Sequence, residues 1–309
     1  MTVDVTVVGG GISGLACARA VRDAGGSVRV VDRGRRVGGR LSSRTIDGRP
    51  VDLGASYFVV GEAEGFGHIV ADWEERGLAR PWTDTFQVLD ADGGQTPKPG
   101  PMRWAAPSGL RSLALDLADG LDVVSERVVD RVEPYQVDGE DAGEVVLAMP
   151  APQAQRLTDA APGGDQEWEP VIAVVLRWPE QMWDADLHGA FTDGDADVSF
   201  IADDGDRRGD GAPVLVVHTT ADRARRHLDD PEGAVGPVLA ATRRLLRIDA
   251  DPIATYAHRW TFARPGQTTG QPFFRSPGLS ACGDAWGRSA AVRTAWTSGD
   301  ALGRALTAS

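Results

Sequence analysis

The segment Gly9-Gly10-Gly11-Ile12-Ser13-Gly14 constrains this chain more than any other, because three glycines at that spacing serve a single backbone geometry. It follows an apolar strand-like run, Val3 to Val8, and precedes a helix expected over Leu15 to Ala24 and ended by Gly25-Gly26. A second strand, Ser27 to Val31, ends at Asp32. Gly9 permits the tight turn, Gly11 lets the backbone approach a pyrophosphate, and Gly14 lets the helix lie close to the strand. The helix start offers free N–H groups and the positive end of the helix dipole to phosphates. Asp32 stands about 20 residues on, where a carboxylate accepts hydrogen bonds from ribose hydroxyls. A strand–helix–strand opening of this kind implies a parallel sheet and a dinucleotide site.

After about Asp72 the pattern changes. Short strand-like runs alternate with Gly, Pro and Asp turns: Phe86 to Leu89, Val171 to Arg177, Val198 to Ala202 and Val214 to His218. Between them, Ser108 to Glu133 reads as a helix followed by a strand over Val123 to Val132, and Glu144 to Met149 as another strand. At the far end Leu279 to Ala281 reads as a strand, Gly283-Asp284 as a turn, and Ala295 to Leu306 as a closing helix. The expected fold class is α/β. A Rossmann-like dinucleotide domain (1–70, 101–155 and 272–309) is interleaved with a smaller substrate domain (71–100 and 156–271) on a mixed or antiparallel sheet.

Composition removes several function classes. The formal net charge is −13, which disfavours nucleic acid and anionic membranes as partners. No run is long and apolar enough to span a bilayer, and Met1-Thr2-Val3-Asp4 has no basic signal region. Two distant cysteines, Cys17 and Cys282, make neither a disulfide framework nor a zinc site, so a reducing, cytoplasmic setting and buried thiols are expected. His68, His188, His218 and His227 are scattered, and no metal is expected. Asp193-Gly194-Asp195-Ala196-Asp197 lacks the later Gly and Glu of a calcium loop and reads as a solvated acidic turn. No G-x-S-x-G elbow is present.

Further segments separate FAD from NAD. Arg36-Val37-Gly38-Gly39-Arg40-Leu41-Ser42 follows Asp32, then comes Asp52-Leu53-Gly54-Ala55-Ser56-Tyr57-Phe58, and Gly283-Asp284 precedes the last helix. With the glycine turn and Asp32, this set resembles the flavin-containing amine oxidase superfamily. Within it, Val146 to Gln153 and Tyr256 to Pro265 resemble the small bacterial renalase-like enzymes. The resemblance implies a p-hydroxybenzoate-hydroxylase-like two-domain architecture and non-covalent FAD. It implies that Gly9, Gly11 and Gly14 cradle the pyrophosphate, with Asp32 on the adenosine ribose and Arg33 beside it. Gly39 and Arg40 would lie along the diphosphate, where a guanidinium makes bidentate contacts. Gly54 and Ala55 would let the backbone approach the isoalloxazine, and Val129 would face adenine. Gly283 and Asp284 would hold the ribityl or diphosphate region, and Val292 would offer an N–H to the flavin N1/O2 edge. Arg293-Thr294 stands where the family commonly has Glu-Gly, and the single lysine, Lys98, lies far from the family's position near flavin N5.

Tyr57, Phe58, His258 and Trp260 are the candidate pocket side chains, with a structural role equally open for each. Arg33, Arg35 and Arg36 read either as an anion pocket or as solvated loop charges. No catalytic side chain is assigned. The resemblance implies an FAD oxidase that takes hydride from 2- or 6-dihydro isomers of NAD(P)H and passes electrons to O₂, giving NAD(P)⁺ and H₂O₂. An FAD amine oxidase or desaturase-like enzyme is the alternative, and a non-catalytic flavin-binding module is a further one.

Overall fold

The computed structural model describes residues 4–61 and 64–308. Both ends of the chain build one six-stranded sheet. Its order is Phe274–Ser276, Leu279–Ala281, Glu144–Leu147, Val5–Val8, Val28–Val31 and Asp122–Val124. All neighbours are parallel except the Phe274–Ser276 edge. The central strand Val5–Val8 is buried along its whole length, as expected of a parallel strand covered on both faces.

The first helix, Ile12–Asp23, covers one face of this sheet, and the closing helix, Val292–Thr307, lies against it. The two approach closely because Gly299 and Gly303 present no side chain there. A Cβ on Gly299 would sit 1.9 Å from the Ser13 carbonyl oxygen, and one on Gly303 2.5 Å from that of Cys17. Cys17 and Cys282 are buried in the same apolar cluster. Burial pushes both thiols up, Cys282 to about 12, so neither is a ready nucleophile.

The second sheet has eight strands in the order Ala254–Pro265, Trp168–Arg177, Val214–Thr219, Val198–Asp203, Gly189–Thr192, Arg80–Leu89, Gln95–Ala105 and Phe58–Val59. It is mixed, with the Gly189–Thr192 strand parallel to Arg80–Leu89 and the other pairs antiparallel. The strand Trp168–Arg177 is apolar on both sides. Ile172, Val174 and Leu176 face the helix Val235–Leu246, while Ala173 and Val175 pack toward Val51 and Leu53. This second face is turned toward the dinucleotide half.

Several local expectations are corrected. The strand expected over Val123 to Val132 ends at Val124, because Glu126 turns to φ 58° and the Arg127 N–H donates to the Asp32 carbonyl. Val128 and Val129 belong to a loop folded over the end of the second strand, and Val132 begins a separate two-residue strand, Val132–Glu133, that pairs with Gln136–Val137. The middle of the chain also holds helices at Glu64–Glu75 and Val235–Leu246 among its strands. The acidic turn is charge-paired rather than solvated. Asp195 accepts from the Asp197 and Val198 N–H groups and pairs with Arg244, while Asp197 pairs with Arg223. Among the described residues no helix is long and apolar enough to cross a membrane, and no acidic, His or Cys cluster has metal-binding geometry.

Candidate active site

A cleft of about 2140 Å³ runs between the two sheets. A single small-molecule site takes about 300–1,000 Å³, so this one has room for a dinucleotide and a second molecule.

At one end the three glycines separate by role. Gly9 has φ 115°, and a Cβ there would lie 2.5 Å from the Ala148 carbonyl oxygen. A Cβ on Gly14 would lie 2.1 Å from the Gly9 oxygen. Both are therefore demanded by the protein's own packing. A Cβ on Gly11 would meet nothing within 4 Å, so its missing side chain leaves space in the cleft rather than relieving a protein contact. The helix beginning at Ile12 has no side-chain cap, so its first N–H groups are open toward that space. Asp32 accepts from the Gly10 and Gly34 N–H groups, both at 2.6 Å, which fixes its carboxylate at the cleft wall. Arg33, Arg35 and Arg36 are exposed beside it and line the cleft, as does the buried Val129.

The next segments lock together around Arg40. Its guanidinium grips Asp284 with two bonds of 2.6 and 2.7 Å and donates to the Ala263 carbonyl. Its own carbonyl accepts from the Ala55 N–H, and a Cβ on Gly54 would lie 2.0 Å from that carbonyl. Gly39 lies against Gly11, since a Cβ there would be 3.3 Å from the Gly11 Cα. Gly283, at φ 155°, makes the turn that delivers Asp284. The closing helix starts at Val292 with no side-chain cap, and Ala291, Val292 and Ala295 line the cleft. Arg293 turns away and donates to the Val60 carbonyl.

The opposite wall comes from the eight-stranded sheet. His258 and Trp260 lie edge to face with ring centroids 4.6 Å apart, and the Trp260 Nε1–H donates to the Leu53 carbonyl at 2.8 Å. Tyr57 lines the cleft against Phe86 and Phe200, and burial pushes its hydroxyl up. Phe58 is only 2% exposed and packs into the core with Phe66, Trp73 and Trp104, touching the cleft at its margin. Burial, with Arg44 and Arg259 nearby, pulls the His258 imidazole below its ordinary range.

Three further residues belong to this wall. His218, expected as one of several scattered histidines, lines the cleft beside Phe200. Burial and the charges of Arg264 and Arg207 pull its imidazole down to about 3. Arg44 stacks over the Tyr256 ring, and Arg264 faces the cleft, neither with an ion-pair partner among the described residues. No motif in the sequence singles out His218. Its signal is the alternation Val214, Val216, His218, which puts a polar ring on an otherwise apolar face.

The acids that line the cleft stand elsewhere. Asp32 and Asp130 are in the dinucleotide half, Asp284 is held by Arg40, and Asp229 is exposed at the outer edge. This side of the cleft thus carries Arg44, Arg156, Arg259 and Arg264 and two imidazoles held below their ordinary range, and the exposed Asp229 is the one carboxylate there among the described residues. Lys98 lies exposed on the strand Gln95–Ala105 and does not reach the cleft.

Comparisons with known proteins agree with this geometry. A family model described as flavin containing amine oxidoreductase matches residues 65–301, and one described as NAD(P)-binding Rossmann-like domain matches residues 7–73. Among curated proteins, carotenoid 3,4-desaturase of Haloarcula japonica is 44% identical over 57 residues, 18% of this chain and 12% of that protein. Amine oxidase [flavin-containing] B of Bos taurus is 46% identical over 90 residues, 29% of this chain and 16% of that protein. The matched segments are thus a small fraction of those relatives' lengths. Among solved structures, cyclohexylamine oxidase from Brevibacterium oxydans superposes with a TM-score of 0.78 at 16% identity, covering 99% of both chains. Putrescine oxidase bound to putrescine gives 0.73 at 16% identity, covering 99% of this chain and 98% of that one. At such identity these two show a shared fold.

Proposed function

The chain belongs to the flavin containing amine oxidoreductase family, and on that premise we propose that it is an FAD-dependent, renalase-like oxidase. It converts 2- or 6-dihydro isomers of NAD(P)H to NAD(P)⁺, with O₂ as final acceptor and H₂O₂ as its product. Bound FAD supplies the two-electron acceptor. Gly9, Gly11 and Gly14 with the open start of the first helix would hold its pyrophosphate. Asp32 would hold the adenosine ribose, with Arg33 and Val129 flanking that end. Gly39, the Arg40–Asp284 pair and Gly283 would hold the middle, and Gly54, Ala55 and the Val292 N–H the isoalloxazine. The interleaved division into a dinucleotide domain (1–70, 101–155 and 272–309) and a substrate domain (71–100 and 156–271) is part of this proposal, with the strand Gln95–Ala105 running across one junction.

The observation that carries the reading is the character of the substrate wall. Arg44, Arg156, Arg259, Arg264 and two neutral imidazoles line this side of the cleft, and its one carboxylate among the described residues is the exposed Asp229. Such a wall disfavours an ammonium and suits an anionic dinucleotide. A dihydropyridine also gives up hydride without a protein base, so the wall need only stack it and keep water out. Trp260, held by the Leu53 carbonyl, and Tyr57 give that stacking surface.

The test is anaerobic. The flavoprotein is mixed with borohydride-reduced NAD⁺, which contains the 2-, 4- and 6-dihydro isomers, and its visible absorbance is followed. Rapid bleaching by the mixture but not by pure 4-dihydro NADH is the expected result. Bleaching by amines instead would replace this reading with the amine-oxidase one.

A further inference from the structure

The cleft is basic in an acidic chain. Ten arginines and four aspartates line it, a surplus of six positive charges, while the chain as a whole carries −13. Among the described residues, only Arg40 and Arg127 of those ten are in ion pairs. The diphosphate of FAD, at about one negative charge per phosphate, answers only part of this surplus. Charge of one sign gathered in a concave site focuses the field and draws in ions of the other sign. A second anion is therefore expected beside the cofactor.

Arg44 has a guanidinium fixed by neutral groups alone. It stacks on the Tyr256 ring at 4.6 Å and donates to the Tyr256 hydroxyl at 2.5 Å. The acid nearest to it in sequence, Asp47, is taken by Arg177 at 3.1 Å. One face and one N–H are thus used, and the rest of the fork is open to a ligand. The other arginines of this side are less suited. Arg259 starts on the opposite face of its strand, in register with Ile172, and is turned to the Leu228 carbonyl. Arg264 stands in register with Glu169.

Tyr256, His258 and Trp260 alternate along one strand and so share a face. The row runs from Arg44, stacked on Tyr256, past His258 to Trp260, whose ring centroid is 4.6 Å from that of His258. Four residues of strand span about 13 Å. A planar ring, a sugar and a diphosphate in line can reach from one end of this row to the other.

We propose that Arg44 anchors a second phosphate subsite, at the end of the row away from Trp260, and that it binds the diphosphate of a substrate whose ring lies toward Trp260. The dinucleotide identity of that substrate rests on the reading above, while the anion subsite rests on Arg44 and on the charge of the cleft.

The first ligand is inorganic pyrophosphate, titrated by calorimetry into the FAD-loaded protein at low and at high salt. One pyrophosphate per loaded protein is expected, bound more weakly as salt rises. Arg44→Gln is expected to weaken it about tenfold or more, the loss of charge-assisted hydrogen bonds, and to leave FAD affinity at the wild-type value. Arg44→Lys keeps the charge without the fork and is expected to recover part of the loss. The wild-type titration needs no variant, so a folding defect in either substitution leaves a test standing. Pyrophosphate that fails to bind the loaded protein, whether or not it binds the FAD-free one, overturns the proposal. So does equal pyrophosphate affinity in wild type and Arg44→Gln. With the reduced NAD⁺ mixture, Arg44→Gln is expected to raise the concentration for half-maximal bleaching about tenfold at an unchanged limiting rate. Bleaching at an unchanged half-saturating concentration overturns the subsite and leaves the dihydronicotinamide reading standing. Pyrophosphate held by Arg44 in a protein that the mixture fails to bleach removes that reading and leaves the subsite.

Discussion

Arg40 and Asp284 are 244 residues apart in sequence and meet in a bidentate ion pair, with N–O distances of 2.6 and 2.7 Å, at the middle of the cleft. The pair closes the dinucleotide half: Arg40 comes from the glycine-rich loop after Asp32, and Asp284 from the turn that precedes the closing helix. Both groups are largely withdrawn from water, so each depends on the other. Asp284→Asn keeps the shape and removes the charge. Its expected effect is a weaker hold on FAD by about 10–100-fold, or roughly 1.4–3 kcal/mol. Flavin fluorescence on dilution measures it. FAD retention equal to wild type would mean that the pair serves the fold alone.

The contact between the first and last helices gives a paired prediction. Gly299→Ala would put a methyl against the Ser13 carbonyl, where only 1.9 Å is free. Backbone must move, and a cost of about 1–3 kcal/mol is expected, read as a lower Tm. Gly236 is the comparison. It lies in the helix Val235–Leu246, and a Cβ there would meet nothing within 4 Å. Gly236→Ala is expected to stabilise by about 0.5–1 kcal/mol, since only helix propensity changes. If both substitutions moved Tm the same way, the close approach would not be what Gly299 is for.

The glycine cradle was legible because its geometry is local: Gly9, Gly11, Gly14 and Asp32 lie within one strand–helix–strand unit. The use of both chain ends in one parallel sheet was legible too, from the closing strand and helix. Val123 to Val132 misled because valine content says nothing about where a loop must turn to meet Asp32. The helix Val235–Leu246 was obscured by the short-strand pattern around it, although Val238, Ala241 and Leu245 lie on one helical face. His218 is different in kind. It becomes a cleft residue only when register sets its strand beside Ala173, and no local spacing encodes that. Gly299 and Gly303 carried a readable signal, two small residues one turn apart, which acquires meaning only with Ser13 and Cys17 opposite.

A buried charge cluster joins the two halves behind the cleft. Asp204 is fully buried and is gripped by Arg49, Arg207 and Arg208, and Arg208 also reaches Asp52 at 3.2 Å. Burial pushes the Asp204 carboxyl up, but the three arginines outweigh it and hold the group below its ordinary range. Asp204→Asn leaves those cations facing one another without their shared anion. The expected loss is about 3–5 kcal/mol, as for breaking a buried pair. Chemical denaturation measures it. A loss below about 1 kcal/mol, the scale of an exposed pair, would show that water reaches the cluster.

His218 sets a stability term with a definite sign. Its folded-state value is about 3 against an ordinary 6.5, because burial and the neighbouring arginines penalise the charged ring. Between those values the unfolded chain binds a proton that the folded chain refuses. The contribution is therefore fully present above about pH 6.5 and is lost as pH falls toward 3, by up to about 1.4 kcal/mol per unit. From pH 6.5 to 5 that amounts to roughly 2 kcal/mol, or about 3 °C in Tm for a chain of this length. His218→Phe carries no such proton, so its Tm is expected to fall less over the same interval. His258 shifts in the same direction and stays in both proteins, so the difference between the two slopes isolates position 218. Parallel Tm–pH curves for the two would mean that the ring already takes up its proton in the folded state.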